Sequence, residues 1–304
     1  MKQLIKKIIP LKLWKKIRLF LIVHKHKDIA RICNKIIDNY VTEKCENFPI
    51  RPKKQFENSL IIWQYWAQGY ENVPEVVQIC LDSVERHKGK YQLIRLSDEN
   101  LSQYLDIPDA INRKRGSFLM AHFSDLLRMA LLSTYGGVWL DATVFLTGEL
   151  PQRYFDYGFF MYQRDINVEH KDYWENAYAY YWGWNPDFKV CILNSIIYSE
   201  KGNKTVEELC NLLYITWLRN DSIPYYYYTQ ILFYEYFQCY PQNNCPIESD
   251  CLPHYMMQLL TDDYPYLSFE QIIELTPIHK LTYKMPDFCV DKLKELKKQY
   301  FQRI

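Results

Sequence analysis

Glycine is scarce in this 304-residue sequence, at nine residues, which excludes collagen-like and glycine-linker architectures. No stretch approaches the roughly 20 apolar residues that a membrane-spanning helix needs. The nine cysteines include no CxxC pair, and the nearest set, Cys239, Cys245 and Cys251, leaves five residues between neighbours. That spacing makes no zinc knuckle or ribbon, and a scattered odd set fits buried thiols in a reducing compartment. GxSxG, HExxH and GxxxxGKS/T are missing, so nothing points to a nucleophile elbow, a zinc-protease helix or a P-loop. An excess of charge is missing too, with 37 Lys and Arg against 36 Asp and Glu. What is present suffices for a sizeable core: 48% hydrophobic residues, 24% charged and 16% aromatic, in a length that suits one large domain with or without an appended segment.

The near-neutral total conceals an asymmetry. Residues 1–27 carry nine Lys or Arg and no Asp or Glu, which leaves 28 basic against 36 acidic residues in the remainder. The longest apolar run of this head, residues 19–23, is too short for a secretory signal, which needs about 7–15. Leu13, Trp14, Ile17, Phe20 and Leu21 recur at helical spacing between lysines, and Pro10 separates a first short turn from this helix. The pattern predicts an amphipathic helix on an anionic membrane surface, and therefore a cytoplasmic protein held peripherally at the inner face of the membrane. A solvated basic helix packed on its own domain is the alternative. The acidic remainder argues against nucleic acid as a partner. His24 and His26 lie in this arm and are assigned no site.

Residues 1–58 read as a basic helical arm ending in a loop, with Pro49 and Pro52 and the cluster Arg51, Lys53 and Lys54 as a linker. Residues 59–304 read as the main domain. Leu60, Ile61, Ile62 and Trp63 suit a buried strand, Pro74 opens a helix to about His87, and residues 91–96 suit a second strand. Strand, helix, strand predicts an α/β domain with a largely parallel sheet. Residues 117–134 follow as a helix apolar nearly all round, closed by Tyr135, Gly136 and Gly137. Val138, Trp139 and Leu140 then form a short strand that delivers Asp141 to the sheet edge, where open α/β sheets bind ligands. Residues 151–290 are rich in Tyr and Trp, which fill cores and also stack on sugars. A lysine-rich helix from Asp291 to Arg303 closes the chain as a solvated face.

The segment with chemical content is Ser124-Asp125-Leu126-Leu127-Arg128, followed twelve residues later by Asp141-Ala142-Thr143. Asp125 and Arg128 share a helix face. On an exposed helix they would be a surface ion pair of little consequence. On a buried one they need partners. His122, three residues before Asp125, is read equally as an orienting or a structural residue. Adjacent Asp262 and Asp263 face opposite ways on an extended segment, so no paired-carboxylate hydrolase is read there.

Three stretches carry a resemblance: Ile61-Ile62-Trp63-Gln64-Tyr65-Trp66-Ala67-Gln68-Gly69, Ala121-His122-Phe123-Ser124-Asp125-Leu126-Leu127-Arg128, and Tyr135-Gly136-Gly137-Val138-Trp139-Leu140-Asp141-Ala142-Thr143. Together they resemble the DXD-containing sugar transferases of the GT-A fold, and more narrowly the bacterial capsular polysaccharide synthesis proteins. The likeness covers residues 60–150, with a late match at 276–284. It implies a Rossmann-like α/β fold (GT-A, a nucleotide-diphospho-sugar transferase fold) with a donor-binding core over 59–150 and an acceptor region over 151–290. It implies a hexosyltransferase, retaining at the anomeric carbon, that moves a sugar from a nucleoside-diphosphate donor such as a UDP-sugar to a growing, lipid-linked surface polysaccharide.

By the same resemblance Trp66 stacks on the nucleobase, Asp125 contacts ribose or sugar hydroxyls, and Arg128 holds the sugar or diphosphate. Asp141 is the first Asp of the DXD motif and the catalytic position. Thr143 stands where the family has its second Asp. The implied cofactor is Mn2+ or Mg2+, held by Asp141, Thr143 and a late histidine, His279. Lys280 or Lys284, with Lys284 preferred, is the lysine expected on the phosphates. Thr143 also leaves a second reading open, a non-catalytic nucleotide-sugar or carbohydrate-binding protein of the same fold.

Overall fold

The computed structural model describes residues 10–42, 48–49, 51–262 and 264–301. Lys2, Lys6 and Lys7 of the basic head, the expected turn before Pro10, and Asp263 lie outside the described residues. The expected arm forms one long helix, α1 (Leu11–Thr42). Its second half buries Ile29, Ala30, Cys33, Ile36 and Ile37 against two later helices, α4 (Lys204–Arg219) and α5 (Tyr228–Cys239), introduced below in their place. Full burial of each of the three isoleucines contributes roughly 1.5–3 kcal/mol. Polar ties fix the contact: His26 Nε2 lies 3.0 Å from the Tyr225 hydroxyl, and the Asn34 amide donates to Glu235 at 2.8 Å.

The sheet begins with β1 (Ile61–Tyr65), all five residues buried. Pro74 precedes α2 (Glu75–His87), which carries Glu75 in its first turn and Arg86 and His87 in its last, complementing the helix dipole. Then come β2 (Gln92–Leu96), α3 (Met120–Tyr135) and β3 (Gly137–Leu140). The turn between α3 and β3 requires its two glycines. Gly136 and Gly137 have φ of 69° and 106°, and a Cβ on Gly137 would come within 2.4 Å of the Ile61 carbonyl oxygen. The turn thus lets β3 start at once and press against β1.

Next are β4 (Val144–Leu146), β5 (Phe159–Gln163) and β6 (Ile192–Ser199), then α4 and α5, α6 (Tyr255–Asp262), α7 (Phe269–Leu275), β7 (Ile278–Lys280) and α8 (Asp287–Phe301). The five-stranded sheet has the order β2-β1-β3-β6-β5. β1 pairs in parallel with β2 and β3, whereas β6 is antiparallel to both β3 and β5. The expectation of a largely parallel sheet therefore needs amending at β6. The connection 164–191 starts β6 from the end where β5 stops, and an antiparallel neighbour needs no crossover helix. As a result the start of β6 lies beside the C-terminal ends of β1 and β3. A separate ribbon pairs β4 with β7 in antiparallel register, Val144 opposite Lys280 and Phe145 opposite His279.

The large core gathers the sheet with α1, α3, α4 and α5, and a smaller one joins α2, α6, α7 and α8 through Phe145 and Leu281. No helix among the described residues is long and apolar enough to cross a membrane.

Candidate functional site

Three chain segments meet at the edge where β1 and β3 end. α3 contributes Asp125 and Arg128, both buried, because most of its faces are packed. β3 ends at Leu140, and the Asp141 amide donates to the Ser195 carbonyl of β6 at 2.9 Å, which anchors the turn that follows. β6 contributes Asn194 and Ser195.

Arg128 is the hub. Its Nε donates to the Ser124 carbonyl at 3.1 Å, one Nη to the Ser124 hydroxyl at 3.1 Å and the other Nη to the Asn194 carbonyl. The guanidinium also faces Asp125 at 3.3 Å and Asp141 at 3.4 Å, and sits 5.1 Å from the Trp139 ring centre. Asp125 accepts from the Asn194 amide at 2.8 Å and the Thr229 hydroxyl at 2.7 Å. Gln230 in turn donates to Asn194 at 3.1 Å. Burial raises the Asp125 carboxyl above its ordinary value against the opposing pull of Arg128. Asp141 ends on the other side. Burial pushes it up, but Arg128, Lys280, the Trp139 indole (2.9 Å) and the Ser195 hydroxyl together hold it below its ordinary value. Its side chain is 24% exposed, against 7% for Asp125, so Asp141 is the carboxylate that meets solvent.

The β4–β7 ribbon brings in the cation of the site. Leu281 donates to the Thr143 carbonyl at 2.9 Å, and the register sets Lys280 beside Thr143. The Lys280 ammonium donates to the Thr143 hydroxyl at 2.5 Å and to the Leu281 carbonyl at 3.1 Å, and lies 3.5 Å from Asp141. Alternation along a strand sends the next side chain to the opposite face. His279 accordingly points away: it is fully buried, its Nε2 is 2.9 Å from the Thr147 hydroxyl, and burial lowers its pKa to about 3.

Asp125, Arg128 and Asp141 therefore converge, and Thr143 joins them through Lys280. Trp66 lies just past β1, its amide bonded to the Leu96 carbonyl at 3.0 Å and its ring 5.9 Å from that of Tyr283. Lys284 leans on the same Tyr283 ring, 5.5 Å from its centre, so the lysine brought to Asp141 is Lys280. His279, expected at the metal, is turned from it by strand alternation. Sequence reasoning missed Asn194 and Thr229, whereas Tyr226 lay within the aromatic region read as able to stack on sugars. The signal for the first was available, since Asn194-Ser195 interrupts the apolar run of the strand. Tyr226 is 56% exposed, yet Asp125 and Asp141 are near enough to raise its phenol further after burial has done so.

The expected Mn2+ or Mg2+ does not fit this donor set. Such ions take about six oxygen ligands, commonly one or two carboxylates together with substrate phosphates and water. Here one carboxylate meets solvent, and a protein cation stands within 3.5 Å of each of its oxygens, Arg128 on one and Lys280 on the other, so an incoming divalent ion would face two positive charges. The Thr143 hydroxyl is already occupied by the Lys280 ammonium. No group of three or more His, Cys, Asp or Glu among the described residues could hold a metal ion.

A family model described as capsular polysaccharide synthesis protein matches residues 15–304, and the chain belongs to that family. Curated relatives match shorter stretches. The O-glycosyltransferase braB of Annulohypoxylon truncatum is 34% identical over 28% of this chain and 23% of its own length. The O-glycosyltransferase PaGT of Phomopsis amygdali is 24% identical over 40% of this chain and 38% of its own. The glycosyltransferase afumC of Aspergillus fumigatus is 34% identical over 28% and 25%. The chain thus spans well under half the length of the curated relatives it matches. Among solved structures, the PaToxG glycosyltransferase overlaps 74% of this chain and 81% of its own at 14% identity, with a TM-score of 0.35.

Proposed function

We propose that this protein is a glycosyltransferase of the GT-A type. It moves a sugar, with retention, from a nucleoside-diphosphate donor of the UDP-sugar kind to a growing, lipid-linked surface polysaccharide. The observation that carries the reading is the Asp125–Arg128–Asp141 centre beyond the C-terminal ends of β1 and β3. Trp66 and Tyr283 form the aromatic wall for the nucleobase, and the ionised, partly exposed Asp141 accepts from donor hydroxyls. Arg128 and Lys280 oppose the charge that grows on the diphosphate as the glycosidic bond breaks.

Two further features support the acceptor side. Tyr178, Tyr180 and Tyr226 are each about half exposed; the Tyr178 and Tyr180 rings lie 5.8 Å apart, the Tyr226 and Tyr227 rings 4.9 Å apart, and a Tyr178–Tyr227 hydrogen bond joins the two pairs, with Tyr226 near enough to Asp125 and Asp141 to feel their charge. Such a ledge suits stacking of acceptor sugars. On α1, Leu13 and Phe20 are exposed and, at 3.6 residues per turn, lie opposite buried Ile22, Ile29 and Cys33. Lys12 and Lys16 flank that face on one side, and no acidic residue occurs before Asp28. This arrangement supports contact with an anionic leaflet at the inner face of the membrane, where a lipid-linked acceptor would be found.

The test is a transfer and donor-hydrolysis assay with a UDP-sugar panel. Normal activity in a folded Asp141→Ala protein would sink the site. The second reading, nucleotide-sugar binding without turnover, is favoured by the neutral Thr143 and wins if donors bind but none is consumed with any acceptor. For the membrane contact, Leu13→Ser with Phe20→Ser is expected to lower co-sedimentation with anionic vesicles about tenfold or more, since each buried side chain contributes roughly 1.5–3 kcal/mol. Unchanged co-sedimentation removes that part of the proposal.

A further inference from the structure

The misfit between the donor set and a divalent cation has its own logic. In the motif that the resemblance implies, a 2+ ion meets carboxylates on two alternate residues. Here the second is Thr143, and the Lys280 ammonium sits between the two positions, 2.5 Å from the Thr143 hydroxyl and 3.5 Å from Asp141. One positive charge is balanced by one carboxylate, and the neutral hydroxyl accepts one of the three ammonium N–H groups. A second carboxylate would leave the pair over-balanced. Neutral Thr143 and singly charged Lys280 are thus complementary, as two carboxylates and a metal ion would be.

Lys280 is also fixed. It ends a strand registered on β4, its side chain is 17% exposed, and a second N–H is bound by the Leu281 carbonyl at 3.1 Å. The contact to Asp141 is longer than the 2.7–2.9 Å of a tight charge-assisted bond, which leaves that N–H free to turn to a stronger acceptor. Such an acceptor is a diphosphate oxygen. On the opposite side of Asp141, Arg128 stands in the same loose relation, at 3.4 Å.

We propose that Lys280 takes the place of the metal ion, so that the donor diphosphate is bound, and leaves, on two protein cations with no divalent metal. The inference rests on the glycosyltransferase reading above. In the transfer step the bond from the anomeric carbon to the phosphate oxygen breaks, and its electron pair stays on that oxygen. The acceptor hydroxyl oxygen bonds to the anomeric carbon and its proton passes to the departing diphosphate. Lys280 hydrogen-bonds to the diphosphate oxygens as their charge increases.

Calorimetric titration of the full chain with UDP, GDP and CMP, in EDTA and again in Mn2+, tests this, with Mn2+ paramagnetic resonance as a second readout. The expected result is nucleotide binding in EDTA, changed less than threefold by Mn2+, with no protein-bound Mn2+ signal. Lys280→Ala should weaken binding at least tenfold in EDTA, and Lys280→Arg should recover part of it. Thr143→Asp combined with Lys280→Ala should convert the site, giving a Mn2+ signal and Mn2+-dependent binding. Nucleotide binding that appears only with Mn2+ in the unaltered protein overturns the lysine assignment and leaves the donor-site reading standing. So does unchanged EDTA affinity in Lys280→Ala. Absence of binding by all three nucleotides under both conditions overturns both. Should Lys280→Ala fail to fold by circular dichroism, Lys280→Met and the unaltered protein's own metal response decide the matter.

Discussion

Arg164 and Arg128 are both buried beside carboxylates, yet their surroundings differ at every donor. Arg164 spends its Nε and one Nη on Asp250 at 2.9–3.2 Å, and its remaining donors on the carbonyls of Gly183 and Tyr181 at 3.0 and 2.9 Å. The Tyr181 hydroxyl closes Asp250 from the other side at 3.0 Å, and Trp182 and Trp184 stand within 5 Å of the guanidinium. The pair is sealed, at 3% and 0% exposure. Arg128 gives its short bonds to α3 and β6 and holds both carboxylates at 3.3–3.4 Å, one of them open to solvent. A saturated, dry pair is a strut inside the aromatic region. A pair with loose contacts and a wet side has capacity left for an incoming anion.

The largest effect should come from the strut. Arg164→Ala leaves Asp250 charged and unpaired at full burial, which costs about 3–5 kcal/mol. Urea unfolding should register that loss while nucleotide affinity of the folded protein stays put. A loss below about 1 kcal/mol would erase the contrast between the two centres. Asp141→Asn should do the reverse. Turnover is expected to fall roughly 100- to 1,000-fold, with unfolding free energy within about 1 kcal/mol of the starting protein.

Arg128→Lys sharpens the comparison further. A point charge cannot hold Ser124, Asn194 and an anion at once. UDP affinity should drop about tenfold, equivalent to roughly 1.4 kcal/mol, while Arg164→Lys should leave affinity alone and lower stability.

The smallest effect is in titration. Carboxyl NMR should find Asp125 taking its proton at higher pH than Asp141, since burial raises the first and the flanking cations lower the second. The signs for stability follow. Ionised Asp141 stabilises the fold above the unfolded carboxyl value, and that contribution is lost as pH falls through its lowered folded value. Ionised Asp125 costs stability at neutral pH, and protonation relieves the cost as pH falls through its raised value. Titration in the opposite order would mean that Arg128 is bound more tightly to Asp125 than to Asp141.

Much of this was legible locally. The all-apolar helix predicted that Asp125 and Arg128 would be buried and partnered, and the Gly-Gly turn placed Asp141 at a sheet edge. Both follow from periodicity and φ preferences, which act within a few residues. The parallel half of the sheet was legible for the same reason, from strand, helix and strand in succession. The reversed direction of β6 was not, because strand direction depends on where a long connection returns. His279 and Lys280 are neighbours in sequence and were both expected at the donor, the first on the metal and the second as one of two lysines for the phosphates. Only the register of β7 on β4 separates them.

By itself, then, the sequence determined which acid and which arginine share a helix face, where the turn before Asp141 must lie, and that the first helix carries positive charge with an apolar side. Those properties are encoded in short-range sterics and in the spacing of residue types. The tertiary structure decided which lysine meets the motif, which histidine is sealed away, and that Asn194 and Thr229 complete the Asp125 site. These are contacts between segments 69 to 137 residues apart in the chain, and they depend on how sheet order and ribbon register close a long loop, a choice no local pattern carries.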